Sequence, residues 1–193
     1  LVSRAEAWPW SSASDRISGT GLTVTGPVPL PRKWPEILNS GIPADELTLA
    51  VKRHATSKLV SAEDLFRIAT LGFRGEALSS IGSVSRLIIT SRTADSPAGA
   101  RLRVEGGTIG RLEIVGAPVG TMVTVEELFY NVPARLKFLK QEGTERRTID
   151  SLLKRYALAY PQVRFRVSEG KTPSLQTAGD GNRRAILAAL YGV

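Results

Sequence analysis

Two glycines bracket a short turn directly before an apolar, helix-like segment, in the sequence TLGFRGEALSS at 70–80. The first amides of a helix lack intrahelical partners and carry a partial positive charge, and glycine lets a ligand approach the backbone closely. Such a turn can hold an anion, phosphate above all. Most Gly-x-x-Gly turns only join two elements, however, and the chain has no GxxxxGK[ST] phosphate loop, so the turn alone is a weak indication.

Two further polar segments could contribute to the same site. RHATSKL at 53–59 offers two hydroxyls and the ammonium of Lys58, which suit phosphate, although a hydroxyl there could equally cap the loop locally. Gly120 and Thr121 stand at the start of a predicted strand, where a hydroxyl could face a buried ligand or simply belong to a turn. The residues by themselves leave both alternatives open.

Composition argues against several classes of site. The 193 residues include no Cys and a single His, His54, which argues against disulfides, thiolate or histidine metal centres and a Ser-His-Asp triad. No apolar run approaches the roughly 18 residues that span a bilayer, and the first residues show no secretory pattern.

Positive charge is concentrated in the last third of the chain. Net charge is +8, and the residues from Asn131 onward include 12 Lys and Arg but only 5 Asp and Glu. This basic third predicts either a nucleic-acid-binding surface or a solvated face.

The elements that would position these residues become recognisable from Ile42 onward. Helices are predicted for PADELTLAVKR (43–53), SAEDLFRIA (61–69), a segment starting near Arg74, PARLKFL (133–139), TERRTIDSLLKRYALAYP (144–161) and RRAILAALYG (183–192). Strands are predicted for SRLIITSR (85–92), a hairpin over 100–115 that turns at Gly106-Gly107, GTMVTVEELF (120–129) and VRFRV (163–167). This mixture favours a two-layer α/β sandwich over alternating parallel units.

Five segments, in this order, resemble the N-terminal ATPase region of the MutL family of DNA mismatch repair proteins, a branch of the GHKL ATPases. They are GIPADEL (41–47), RHATSKL (53–59), DLFRIATLGFRGEALSSIGSVSRLIITSR (64–92), GTMVTVEELFYNVPARLKFLK (120–140) and ERRTIDSLLKRYALAYPQVRFRVSEGK (145–171). The resemblance extends from about Asn39 to Val193. GFRGEALSSI together with LFYNVPARLKFL is specific to MutL among its relatives, which include gyrases, Hsp90-type chaperones and histidine kinases.

The resemblance implies an α+β fold of the GHKL (Bergerat) type, with a mixed, mostly antiparallel sheet, helices on one face and ATP between the layers. It implies that ATP with Mg²⁺ orders loops, closes a lid and drives dimerisation. The implied ATP-binding residues are Asn39, Gly41, Ile42, Thr56, Lys58, Gly72, Phe73, Arg74, Gly75, Glu76, Ala77, Leu78 and Thr121. Among them, residues 72–78 wrap the phosphates, Thr56 and Lys58 belong to a mobile segment over the nucleotide, and Thr121 lies under the adenine.

The partners implied by the resemblance are DNA, a mismatch-recognition protein and a second copy of the chain, with no membrane. The implied location is the bacterial cytoplasm, in association with the nucleoid. Two other functions stay open. One is a non-catalytic DNA-binding or protein-interaction fragment that uses the basic third. The other is a different GHKL protein, against which FYNVPARLKFLK counts.

The first 38 residues depart from the family pattern. They hold all three Trp and five of the eleven Pro, and they show no helical period. The family requires an acid as general base and an Asn as Mg²⁺ ligand, spaced E-x-x-x-N, and an Asp that binds adenine. None of these is recognisable, so no catalytic residue is assigned. We expect weak ATP binding and poor hydrolysis, caused either by an upstream frame error or degraded gene, or by a genuine divergent extension.

The expected organisation has three parts. Residues 1–38 form an irregular segment, so the N-terminal part of the fold is missing or disordered. Residues 39–180 form a partial ATPase domain, and 181–193 begin a next domain that is truncated.

Overall fold

The computed structural model describes residues 41–55, 74–170 and 172–192. The described residues fall into two compact units, which divide between Thr148 and Ile149. We call residues 41–148 the larger unit and residues 149–192 the smaller unit. Within the described residues, no helix combines the length and apolar character needed to cross a membrane. The segments predicted over 1–38 and 61–69 lie outside the described residues.

The larger unit is built on a five-stranded sheet. Its strands are β1 (Arg86–Arg92), β2 (Gly99–Glu105), β3 (Thr108–Ile109), β4 (Glu113–Val115) and β5 (Gly120–Glu126). Its described helices are α1 (Ala44–Ala50), α2 (Ala77–Ser83) and α3 (Pro133–Leu136), and α4 (Glu142–Ala159) runs across the division between the units. The strands lie in the order β3-β2-β1-β5, β4 also pairs with β2, and all these pairs are antiparallel.

The core of the larger unit forms where α1 and α2 pack against β1 and β2. Alternate residues of a strand point to the same face, and the sequence places Leu87 and Ile89 of β1 beside Leu102 and Val104 of β2 on the helix side. All four are buried, as is Leu47 of α1. Burying each such side chain contributes about 1.5–3 kcal/mol, so these helices are held on the sheet mainly by apolar packing.

The smaller unit combines the end of α4 with a hairpin and a last helix. Strands β6 (Arg166–Glu169) and β7 (Thr172–Gln176) pair antiparallel, and α5 (Arg183–Tyr191) packs on β7. Asn182 caps α5 by accepting from the amide of Ala185, and Gly192 ends the helix in a left-handed conformation. The predicted long helix, the last helix and the glycine at its end are confirmed.

One sequence prediction for the smaller unit needs correction in its bounds, and one strand was not predicted. The strand predicted from Val163 starts only at Arg166, because the backbone of Phe165 bonds to Thr177 instead. The amide of Phe165 donates to the hydroxyl of Thr177, and the carbonyl of Phe165 accepts from the amide of Thr177. Strand β7 was missed because Pro173 lies within it, and a proline in a strand argues against a sheet when only the sequence is considered.

Four predictions for the larger unit need correction in their bounds. The helix predicted from near Arg74 begins at Ala77, because Gly75 has φ of 62°, a left-handed conformation that an α-helix cannot contain. The helix predicted over 133–139 is only the four residues of α3. The helix predicted over 43–53 ends at Ala50, and the strand predicted over 120–129 ends at Glu126. The strands β1, β2 and β5 and the turn at Gly106-Gly107 are confirmed, as is the two-layer arrangement.

Candidate functional site

The residues before α1 dock against the end of the sheet. Gly41 is buried, and a Cβ at this position would overlap the carbonyl oxygen of Arg92, so only glycine allows the chain to pass here. The next amide, that of Ile42, donates a hydrogen bond to the hydroxyl oxygen of Ser91 at 2.6 Å. The segment is therefore fixed to the last residues of β1 by both shape and hydrogen bonding.

The same serine connects this segment to Thr121. Ser91 and Thr121 are directly opposed in the β1–β5 pairing, and their hydroxyl oxygens lie 2.8 Å apart. Ser91 is only 1% exposed, whereas Thr121 is exposed. Three predicted site residues from distant parts of the sequence are thus brought together through one buried hydroxyl. We call Gly41, Ile42, Ser91 and Thr121 the sheet-end cluster.

Ser91 was not among the residues predicted for the site. A signal was present in the sequence, because Leu87, Ile89 and Ser91 alternate along one strand and the third position of that apolar face is polar. A buried hydroxyl needs partners, so a serine on the core face of a strand indicates a hydrogen-bonding role. What the sequence could not supply was the identity of those partners.

The face of the sheet that the helices cover becomes exposed to solvent at β5. Val123 and Val125, on the same face as Thr121, are 47% and 44% exposed, while their neighbours Ile89 and Leu87 on β1 are fully buried. An apolar strip therefore continues from the core to the surface, with the hydroxyl of Thr121 at one end. A flat apolar ring with polar atoms on its edge suits such a surface.

The glycine turn lies at the start of α2. A Cβ on Gly75 would overlap the carbonyl oxygen of Ala55, so the turn passes directly against the segment that follows α1. Beside this contact, Nδ1 of His54 lies 3.5 Å from Oε1 of Glu76, and both side chains are largely exposed. We call 74–76 together with His54 and Ala55 the glycine turn. The sequence gave no indication of this pair.

Helix α2 presents its first amides without a side-chain cap. Glu76 occupies the N-cap position, but no side chain bonds to the helix start there. Ala77 is exposed, whereas Leu78 packs against the core together with Ile81. Of these predicted site residues, Leu78 can offer a ligand only its backbone, because its side chain belongs to the core.

Two motifs that carry the resemblance contact each other. The amide of Phe129 donates to the carbonyl of Val84 at 2.6 Å, and the side-chain amide of Asn131 donates to the carbonyl of Ser83 at 3.0 Å. Phe129 has φ of 67°, a conformation rarely adopted by a residue other than glycine. The LFYN segment therefore holds the end of α2, the helix that follows the glycine turn.

A cluster of charges stabilises this junction. Arg86 contacts Glu105 and Glu127, with 2.8 Å for each nitrogen–oxygen distance, and its guanidinium lies 5.5 Å from the ring centre of Tyr130. Glu127 above all, and then Glu105, raise the pKa of Arg86. The cluster is exposed and lies at the end of β1 opposite to Ser91, so it supports the LFYN segment and not the sheet-end cluster.

Five of the predicted site residues, Asn39, Thr56, Lys58, Gly72 and Phe73, lie outside the described residues. Arg74 is exposed beside Gly75. Within 41–55, 74–170 and 172–192, no three His, Cys, Asp or Glu side chains are grouped so that they could hold a metal ion.

Curated relatives of the chain carry the name DNA mismatch repair protein MutL. The chain is 47% identical over 154 residues to the protein from Lactococcus lactis subsp. lactis, and 48% identical to that from Streptococcus equi subsp. equi. In both cases the match covers 79% of this chain and 23% of the relative, so the chain spans less than a quarter of their length. No protein-family model matches the chain.

Solved structures give the same result. The ATPase domain of Aquifex aeolicus MutL complexed with ADP is 36% identical, with a TM-score of 0.58 over 69% of this chain and 53% of that domain. The N-terminal domain of a DNA repair protein is 26% identical, with a TM-score of 0.62 over 79% of this chain and 45% of that one. The resemblance carried by the motifs and the GHKL-type fold are both confirmed.

Proposed function

We propose that this chain, a homologue of the N-terminal ATPase region of MutL, is the nucleotide-binding part of a DNA mismatch repair protein. One observation carries the proposal. Predicted site residues from distant segments meet on the open side of the sheet, in a fold related to a MutL domain that holds ADP. The sheet-end cluster binds the base, and the glycine turn with the start of α2 binds the phosphates.

The chemistry of the two regions fits a nucleotide. The exposed strip of Val123 and Val125 offers an apolar surface to a base, and Thr121 offers a hydroxyl to its edge. At the other end, Gly75 leaves its backbone open, and the uncapped amides that start α2 are hydrogen-bond donors suited to phosphate oxygens. Mg²⁺ would arrive with the phosphates, because it is commonly held by them together with one or two carboxylates or amide oxygens.

We expect ATP hydrolysis to be much weaker than nucleotide binding. Residues 1–38 contain no acid followed four positions later by Asn. Without a general base, the attacking water is neither oriented nor activated, and each of these contributions is worth orders of magnitude in rate. The 193-residue chain therefore binds nucleotide but turns it over very slowly.

In the complete protein, the nucleotide would control assembly. Ordering of the glycine turn by phosphate contacts would favour dimerisation with a second copy, and the dimer would bind DNA and a mismatch-recognition protein. The basic residues after Asn131 support the DNA-binding part of this proposal, since this part of the chain has 12 Lys and Arg but only 5 Asp and Glu. The same charges would support the alternative, a non-catalytic DNA-binding fragment.

Calorimetric titration of the 193-residue chain tests the proposal. We expect saturable binding of ADP and of a non-hydrolysable ATP analogue with Mg²⁺, and loss of most of this affinity in Thr121→Val. Thr124→Val is the matched control, because Thr124 lies on the same strand but on the opposite face of the sheet. Absence of nucleotide binding, together with salt-dependent DNA binding that nucleotide does not change, would replace the proposal by the DNA-binding alternative.

A phosphate-release assay tests the hydrolysis claim separately. We expect hardly any release from the 193-residue chain, and a rise when an upstream helix with an acid and an Asn four residues apart is joined to residue 39. Turnover by the chain alone at a normal ATPase rate would contradict the proposed loss of the general base.

A further inference from the structure

We propose that Ser91 is a positioning residue for the base-binding end of the site. It would orient the hydroxyl of Thr121 toward the polar edge of a purine and fix the backbone of Gly41 and Ile42 beside it. The inference rests on the proposed function and adds a residue that the motif analysis did not assign. It is carried by three hydrogen-bond distances at one buried oxygen.

Only one of these three contacts has a direction fixed by the groups themselves. The amide of Ile42 can only donate, so the 2.6 Å contact makes the Ser91 oxygen an acceptor. The single proton of Ser91 goes either to Thr121, whose oxygen is 2.8 Å away, or to the carbonyl of Gly120, at 3.3 Å, in which case Thr121 donates to the second lone pair of Ser91. In both arrangements a hydrogen bond of usual hydroxyl length joins Ser91 to Thr121, so Ser91 restricts the orientation of the Thr121 hydroxyl.

The Thr121 hydroxyl keeps capacity for a ligand in either arrangement. Thr121 is exposed on the open side of the sheet, so the proton or lone pair that Ser91 does not use points toward solvent or a ligand. A hydroxyl held in this way matches the edge of adenine, where a ring nitrogen accepts and the amino group donates. The preorganisation is useful because a hydroxyl that is already oriented loses less rotational freedom when a base binds.

The position of Ser91 explains why its effect is transmitted. It is 1% exposed in a strand that has partners on both sides, so its oxygen cannot move without disturbing the sheet. A bound base would not reach this buried oxygen, and it would instead meet the exposed Thr121, beside the segment that Ser91 fixes through Ile42. Ser91 therefore acts through these residues and not by contact with the ligand.

The experiment compares four forms of the 193-residue chain, which are the wild type, Ser91→Ala, Thr121→Val and the double variant. Each is titrated with ADP and with inorganic triphosphate, which has no base. We expect each single change to weaken ADP binding about tenfold, the usual effect of one hydrogen bond, and to leave triphosphate binding unchanged. We expect the double variant to bind ADP no more than about tenfold more weakly than the wild type, because both changes remove the same oriented hydroxyl.

Other results would overturn the inference. Wild-type ADP affinity in Ser91→Ala, or a hundredfold loss in the double variant from two independent effects, would show that Ser91 does not act through Thr121. If the wild type binds ADP and one of these outcomes is observed, the proposed function is kept and only the role of Ser91 is rejected. Failure of the wild type to bind both ADP and triphosphate would remove the proposed function and this inference together.

Two further variants distinguish a specific effect of Ser91 from a general folding defect. Thr90→Val removes a neighbouring buried hydroxyl that points to the opposite face, and we expect it to keep wild-type ADP affinity. If Ser91→Ala does not fold, Ser91→Cys keeps a side chain of similar shape with a much weaker donor and acceptor. In this variant ADP binding should still fall severalfold, and unchanged affinity would overturn the inference.

Discussion

The sheet-end cluster and the glycine turn are held in place by different forces. Ser91 and Thr121 are partners in an antiparallel ladder, and the hydroxyl of Ser91 is buried with its hydrogen-bonding capacity satisfied. For the glycine turn, the described residues show the close approach of Gly75 to Ala55 and an exposed pair of His54 with Glu76. A rigid end and an adjustable end are what a site needs if one part recognises a ligand and the other closes over it.

The comparison predicts different consequences for changes at the two ends. Changes in the sheet-end cluster should reduce the stability of the larger unit, because they disturb the sheet itself. Changes in the glycine turn should reduce nucleotide affinity through the phosphates, because the amides at the start of α2 follow directly after the turn.

The largest effect is expected for Gly41→Ala. The new Cβ would overlap the backbone carbonyl of Arg92, and neither backbone can yield without breaking the contacts at the end of β1. We expect a loss of about 3 kcal/mol in the free energy of unfolding, measured by urea denaturation. Gly116→Ala is the control, since a Cβ there would meet nothing within 4 Å. Equal stability of the two variants would show that the sheet end is not rigid.

A smaller loss of stability is expected for Ser91→Ala. The amide of Ile42 and the hydroxyl of Thr121 both lose a partner, but Thr121 is exposed and can bond to water. We expect a destabilisation of about 1–2 kcal/mol, with the exchange of the Ile42 amide against deuterium clearly accelerated. An unchanged exchange rate at Ile42 would contradict the hydrogen bond that joins this segment to β1.

For Gly75→Ala we expect a loss of nucleotide affinity together with a loss of stability. Alanine is disfavoured at φ of 62° and would also overlap Ala55, so the turn should be displaced at a cost of at least about 1–2 kcal/mol. Nucleotide affinity should fall at least about tenfold, because the amides at the start of α2 move away from the phosphates.

The control for this variant is Gly181→Ala, which has a similar φ of 82° but no neighbour within 4 Å of the new Cβ. It should show the conformational cost without the loss of affinity. A Gly75→Ala protein that binds nucleotide as well as the wild type would remove the glycine turn from the site.

The smallest effect is expected for Glu76→Gln. The pair with His54 is exposed on both sides, and such pairs contribute less than about 0.5 kcal/mol. Thermal unfolding should therefore be nearly unchanged at neutral pH. A loss of more than about 1 kcal/mol would mean that the glycine turn is more firmly held than the comparison assumes.

The sequence predicted the fold best where its signals were local. The helix that became α4 and the strand that became β1 have strong periodicity or a dense run of branched residues, and both were found. The limits of elements were less predictable, since only the left-handed conformation of Gly75 shows that α2 cannot begin before Ala77. Strand β7 escaped prediction because its pairing with β6 offsets the unfavourable Pro173, and that pairing is not a local property.

For the site, the sequence determined the residue types that could meet a nucleotide, through the glycine turn before α2 and the Gly-Thr pair at the start of β5. It could not determine which of them share a surface. Ser91 joins Ile42 and Thr121 only because β1 pairs with β5 in one particular register, and shifting that register by one residue would place the serine opposite another residue. Contacts between positions 42, 91 and 121 depend on the closure of long loops around a common core, so tertiary structure alone decided them.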